Sequence, residues 1–482
     1  MGASYLLPIQ EIKPAYNPPE ILKKYLKLLR AALDGSEQSY TSGSIDRAIF
    51  LLAVPMILEM VMESLFAVVD VFFVSQVSTE AVATVGLTES VITLIYSVAI
   101  GLSTAATAIV ARRVGEGSPA QAGKAIGQVI LISVGVSVVM AGFGTYFAGD
   151  VLQLMGADPE VIAVGTRYAQ ISFLSSPVIV LLYSLSGALR GAGSASAAMR
   201  SLWIANGLNM ILDPLFIFGI SFFPEMGVTG AAVATTIGRS VGVGYQLYFL
   251  YNTKKSVSIK WLDFTPDWKI IQNILNISAG GTGQFLISSA SWIFLTRILA
   301  EFGSDVVAGY TIAIRIIIFT LLPSWGMANA AATLVGQNLG ADQPDRAESS
   351  VWRTAKLNMW FLLGVAALFF IAAEPIVGWF STEPAVVQTG VTTLRVLCLG
   401  YGAFAYGMVV VQSMNGAGDT RTPIYLNLIC YWLVQIPLAY LLGLVLEWGP
   451  IGVFVSVPAG ETLLAVLGIV AFRRGRWRQT QV

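Results

Sequence analysis

The 482-residue chain contains no histidine. That absence excludes histidine proton relays, haem ligation by histidine and histidine-activated nucleophiles. Cysteine is nearly absent too. Cys398 and Cys430 both lie in apolar stretches, too few and too far apart for a disulfide framework or a metal spacing, and they read as packing residues. Charge is scarce: 12% of residues are charged against about 25% in a soluble domain, and 55% are hydrophobic with mean hydropathy +0.72. The chain is therefore expected to be an integral membrane protein. Its formal net charge of zero argues against a nucleic-acid partner. Residues 1–44 are too long and too polar for a cleavable signal peptide.

What is present is apolar length. After a polar leader at 1–44, in which Pro19 to Leu33 reads as an amphipathic helix for the cytoplasmic membrane surface, twelve stretches are long enough to span. Their limits are 46–76, 81–111, 120–148, 159–189, 197–221, 228–252, 271–300, 306–336, 347–379, 385–413, 422–446 and 451–472. Pro55, Pro177, Pro214, Pro323, Pro437 and Pro458 interrupt six of them. Six loops, beginning near Ser78, Ala148, Phe222, Glu301, Thr382 and Glu447, contain no Lys or Arg. The other loops and tails carry the basic residues, except Arg167, Arg239, Arg297, Arg315 and Arg395, which lie within spans. This alternation places both termini in the cytoplasm, in a plasma (inner) membrane.

The chain also repeats itself at an offset of 225 residues. Glu80-Ala-Val-Ala83 aligns with Asp305-Val-Val-Ala308, Asp158-Pro159 with Glu383-Pro384, and Arg190-Gly-Ala-Gly-Ser194 with Asn415-Gly-Ala-Gly-Asp419. The expected fold is all-α and polytopic, with twelve transmembrane helices in two pseudo-symmetric six-helix bundles around a central cleft. The lobes would be 45–252 and 271–474, with a cytoplasmic linker at 253–270 and a basic tail at 475–482.

Where the halves differ, the first half holds acids that the second lacks. Asp70 faces Leu295 in the alignment, Glu59 faces Gln284, Glu63 faces Ser288, and no carboxylate matches Asp213. A charge at mid-membrane costs on the order of 3 kcal/mol on insertion scales, so each acid needs a partner. Asn209 and Asp213 are four residues apart and share a helix face. Counting from the loops, Asp70, Asp213 and Thr235 all sit roughly 12 Å below the outer surface. Two carboxylates, an amide and a hydroxyl near one level make an oxygen-rich site suited to Na⁺ or to one shared proton. The alternative is that Asp70 and Asp213 bond separately inside their bundle. Glu59, Glu63 and Asp70 fall within about 40° on a helical wheel, a stripe that should face the interior or a wet cavity. Glu63 would extend a proton path, attract a cationic substrate, or stay protonated against a neighbouring helix. Glu89 lies at a similar depth, and Glu461 is expected to pair with Arg315 or Arg239. Aromatics such as Trp292, Tyr401 and Tyr406 are available to the cleft.

These features resemble one family, the multidrug and toxic compound extrusion (MATE) transporters. The likeness spans about residues 45–474 and is carried by Ala53-Val54-Pro55, Val69-Asp70-Val-Phe-Phe-Val74, the two Gly-Ala-Gly segments, Asn209-Met-Ile-Leu-Asp213-Pro214 and Gly230-Ala-Ala-Val-Ala-Thr235. It implies export of cationic or amphipathic organic compounds by an antiporter driven by Na⁺ or H⁺, with Asp70, Asn209, Asp213 and Thr235 as the cation site. No other cofactor is expected, and the partners would be a small organic substrate and membrane lipid, with the chain a monomer. Glu63 departs from an expected Gln, and Gln284 stands where one subgroup has an acid, so a second-half cation site is not expected. A flippase for a lipid-linked or polysaccharide cargo shares this fold but should carry extra spans or cationic cavity residues. An intramembrane enzyme lacks its motifs here, and Gly117 to Ala125 is not a phosphate loop.

Overall fold

The computed structural model describes residues 18–35, 40–252 and 257–482. The leader before Pro18, residues 36–39, and Lys254 and Lys255 of the expected linker lie outside them. The described residues are almost wholly helical, with no strand among them. The helices are α1 Pro18–Asp34, α2 Ile45–Ser75, α3 Thr79–Gly115, α4 Pro119–Tyr146, α5 Ala148–Leu154, α6 Pro159–Leu174, α7 Ser176–Gly191, α8 Ala195–Phe218 and α9 Val228–Asn252. They continue as α10 Trp268–Ala300, α11 Ser304–Gly340, α12 Pro344–Gly378, α13 Pro384–Cys398, α14 Tyr401–Gly416, α15 Arg421–Asn427, α16 Ile436–Tyr440 and α17 Pro450–Arg473. Proline opens α4, α6, α12, α13 and α17, where its missing N–H costs nothing.

Among the described residues, nine helical segments are long and apolar enough to cross a membrane, and two bent pairs raise this to eleven. The pairs are α6 with α7, bent by 42°, and α13 with α14, bent by 59°. The twelfth expected span is α9, which has the length but whose apolar residues are diluted by Thr, Gly, Ser and Arg239. Twelve spans in two lobes fit this architecture. The prolines act unevenly. Pro177 follows the α6–α7 bend, whereas Pro55, Pro214, Pro323 and Pro458 sit inside continuous helices. Two further bends occur: the α13–α14 turn at Leu399 and Gly400, which has no proline, and a kink at Ala372, in the turn that Pro375 disrupts. The segment 421–445 winds partly as a π-helix, over Leu428–Gln435 and Leu441–Val445.

The lobes meet at the end that carries the basic loops, and the contact obeys the repeat. A Cβ on Gly115 would lie 2.0 Å from the backbone oxygen of Gln337, and one on Gly340 would lie 2.1 Å from that of Arg112. Gly115 and Gly340 are related by the 225-residue offset, as are Arg112 and Gln337. A Cβ on Gly336 would meet that of Ala111, its own counterpart, at 2.6 Å, which puts the pseudo-two-fold axis between them. Both chain ends tie this face. Tyr40 N donates to Gln337 Oε1 (3.0 Å), whose Nε2 donates to Gly191 O (3.1 Å). Arg112 donates to Thr480 O (3.0 Å), Arg113 to Val482 O (2.8 Å), and Arg353 holds Asp46 through two bonds.

The connection between lobes is docked rather than loose. Val257 and Ile259 are buried, and the Gln128 amide donates to Asp263 O and Thr265 O while accepting from Asp267 N. Lys124 Nζ lies 2.6 Å from Asp267 Oδ2 and holds that carboxyl below the usual carboxylate range. The pair therefore supports docking above the ordinary carboxylate pKa and loses its contribution as pH falls through the depressed folded value.

Three outcomes are expected. Gly340→Ala should lower stability by about 1–3 kcal/mol through overpacking in thermal unfolding of the purified chain. Gly364→Ala, with nothing within 4 Å of its Cβ, should be neutral or gain up to about 1 kcal/mol. Lys124→Ala should flatten the fall in melting temperature between about pH 6 and pH 3, and an unchanged acid limb would refute the pairing.

Candidate functional site

The candidate site forms where α8 and α9 run against each other. Their approach depends on Gly238, whose Cβ would lie 2.5 Å from Ala205 O and 3.2 Å from Asn209 N, so only glycine lets the backbones close this far. That closeness brings Thr235 to Asn209. The Asn209 amide donates to Asp213 Oδ1 (3.1 Å), one turn along α8, and to Thr235 Oγ1 (3.0 Å) across the interface. Both Asn209 and Asp213 are buried, at 1% and 0% exposure, and Asp70 on α2 is 8% exposed. Asp70 is near enough for its charge to reach Asp213. Two oxygens of this group, Asn209 Oδ1 and Asp213 Oδ2, are buried without a hydrogen-bond partner. Unfilled acceptors in a buried oxygen cluster are what a cation or a proton would satisfy. No group of three or more acids or cysteines that could hold a metal exists among the described residues, so the donor set suits a monovalent ion better than a divalent one.

The other acids of α2 belong to a different place. Glu59 and Glu63 line a cavity of about 320 Å³ between the lobes, whereas Asp70, Asn209, Asp213 and Thr235 do not. Glu63 accepts from Tyr183 OH (2.8 Å) and from Asn206 Nδ2 (2.9 Å), one oxygen to each. Glu59 is buried in an ion pair with Arg190 (2.7 Å), whose other terminal nitrogen donates to Ser103 Oγ (2.9 Å). Glu89 is exposed and within electrostatic reach of Asp70, Arg239 and, from the other lobe, Arg315. Arg239 is buried between the rings of Phe66 and Tyr96, 5.5 and 5.6 Å from their centroids.

Two sequence readings need correction. Glu461 pairs with no arginine; it accepts from Tyr431 OH (3.1 Å), because Arg239 is held in the first lobe and Arg315 faces Glu89. The buried charge of the first lobe is mainly acidic, Glu59, Asp70 and Asp213, but Arg190 and Arg239 sit among those acids. In the sequence Arg190 stands out only as part of a repeat motif, and its partner Glu59 lies 131 residues away in the chain. Trp292, Tyr401 and Tyr406 pack into lobe cores. The cavity aromatics are instead Tyr96, Tyr183, Phe285 and Trp325.

The MatE family profile matches residues 55–215 and again 282–441, once in each lobe. The chain belongs to the MatE family. It is a multi-pass membrane transporter, not an enzyme. It is 25% identical over 443 residues to the probable multidrug resistance protein NorM of Thermotoga maritima, covering 91% of this chain and 94% of that protein. It is 26% identical to the FAD transporter of Shewanella oneidensis (88% and 94% covered) and 25% identical to the multidrug export protein MepA of Staphylococcus aureus (72% and 75%). Among solved structures, a MATE protein in the straight conformation superposes with TM-score 0.85 at 26% identity, over 94% of this chain and 99% of the other. A Pyrococcus furiosus transporter of the MOP superfamily, described as having a binding pocket of reversed polarity, superposes with TM-score 0.84 at 25% identity (95% and 99%).

The Asn209 bridge gives a direct test. Asn209→Ala should strand both Asp213 Oδ1 and Thr235 Oγ1 and cost about 1–3 kcal/mol, read as thermal unfolding of the purified chain. Asp213→Asn, which keeps the shape, should cost less; the reverse order would show that the bridge does not organise the site.

Proposed function

We propose that this chain is a cation-coupled antiporter that exports cationic or amphipathic organic compounds by alternating access, with Asp70, Asn209, Asp213 and Thr235 holding the coupling Na⁺ or H⁺. The observation that carries the reading is the pair of buried, unpartnered oxygens on Asn209 and Asp213, in an amide–hydroxyl–carboxylate cluster beside Asp70. The cluster lies apart from the cavity, so the ion sits within the first lobe and the cargo between the lobes. A cavity of about 320 Å³ with four aromatic rings and a few convergent polar groups is of the size and character that a small organic molecule uses.

In this reading the basic loops face the cytoplasm of a plasma membrane, as positive-inside charge dictates. The lobes are then closed on the cytoplasmic side, through the Gly115 and Gly340 crossings, and the ion enters from outside. Occupancy of the Asp70–Asp213 cluster favours the state that binds the ion better, and release of cargo follows from the shift. Because coupling energy is a difference between two states, removing one carboxylate should uncouple the gradient without abolishing the cavity.

Dye efflux from vesicles, with Na⁺ and pH gradients imposed separately, tests the proposal. Wild type should respond to at least one gradient, and Asp213→Asn should lose that stimulation by about tenfold or more. Equal stimulation of the two proteins by both gradients would overturn the site.

A further inference from the structure

The duplication supplies an internal control for the cavity. Glu59 on α2 and Arg190 at the end of α7 have Gln284 and Asn415 as counterparts at the 225-residue offset. Both pairs are in contact in their own lobes. In the second lobe the Gln284 amide donates to Asn415 Oδ1 (3.0 Å) and the Asn415 amide donates to Gln284 Oε1 (3.0 Å). That pair is closed, each oxygen receiving an N–H from the other residue. In the first lobe Arg190 Nη1 donates to Glu59 Oε1 (2.7 Å) and Nη2 turns to Ser103. Glu59 Oε2 is left buried and without a partner. A neutral pair thus joins the equivalent helices in one lobe, so the charges in the other are not needed for helix contact. Glu59, Arg190 and Asn415 all line the inter-lobe cavity.

We propose that Glu59 Oε2 is an acceptor for an N–H group of the cargo, so that this transporter selects organic cations carrying an N–H, such as protonated amines and amidines, over quaternary ammonium ions of equal size. The inference rests on the reading of the chain as an exporter of organic cations. Because Arg190 balances Glu59, the pair offers a bulky cation little net attraction; what it offers is one unfilled, directional acceptor. A quaternary ammonium has no N–H and would cover that oxygen without filling it, and sites built for a hydrogen bond reject analogues lacking the donor. The rings of Tyr96 and Tyr183 attract both kinds of cation alike, so they do not discriminate.

The test is equilibrium binding to the purified full chain at neutral pH, by calorimetry. Its probes are an aromatic dye bearing a dimethylaminoalkyl arm, protonated at that pH, and the trimethylammonio analogue. The wild-type protein should bind the protonated amine more tightly by about tenfold. The double substitution Glu59→Gln with Arg190→Asn, which copies the closed pair of the second lobe, should bring the two dissociation constants to near equality. Should the double variant not fold, as judged by thermal unfolding, Glu59→Gln alone is read in its place with the same expectation. Equal binding by the wild type, or a preference that survives the substitution, overturns the proposal. The readout is binding, so absence of gradient-driven export would count against the antiport reading and leave this ratio legible.

Discussion

A polar side chain in a bundle surrounded by lipid can be satisfied only by another side chain, a backbone group or what the protein carries. The first lobe is organised by that constraint. Ser103, Arg190 and Glu59 form one chain of contacts, Tyr183, Glu63 and Asn206 a second, and Thr235, Asn209 and Asp213 a third. The first two chains join helices distant in sequence and the third joins the consecutive α8 and α9; the first and third end on carboxylate or amide oxygens that no group in the protein fills. Those unfilled ends lie beside the cavity and in the oxygen cluster, whereas Gln284 and Asn415 close on each other.

Much of this was legible in the residues, for local reasons. Asn209 and Asp213 are four apart on a helix, so their stacking follows from helical geometry alone. Counting along α9 set Thr235 level with Asp213, and it meets Asn209 one turn away; the repeat predicted two lobes of like plan, whose crossings at Gly115 and Gly340 form a pair. The pairing of Glu59 with Arg190 was not legible, because contact across 131 residues leaves no periodic mark. Glu461 was misassigned for the same reason: depth in a span says how far along a helix a residue lies, not which neighbour it faces. The bend at Leu399 and Gly400 carries no local signal, because only its counterpart has a proline, at Pro177.

The two lobes share a plan and divide the chemistry. The second lobe keeps helix contacts with neutral amides and hydroxyls, as in Asn427 with Ser288 where the first lobe has Asn206 with Glu63. Its one deep acid, Glu461, is answered by a tyrosine. The first lobe holds the ion pair, the oxygen cluster and Arg239 between two rings. An axis through Ala111 and Gly336 lets the unequal halves meet as though they were equal.

The π-wound turns of the eleventh span have a consequence for how far these halves can diverge. An α-helix advances about 100° per residue, so one surplus residue swings every later side chain round by that angle. Segment 421–445 widens to π-turns at Leu428–Gln435 and Leu441–Val445, and such turns take up extra residues locally. The second lobe is thus wound unevenly where the first has a regular helix. The α8 helix has no such freedom, since its amide and carboxylate work together only at four-residue spacing. One residue inserted between Asn209 and Asp213 would turn the carboxylate about 100° away from the amide.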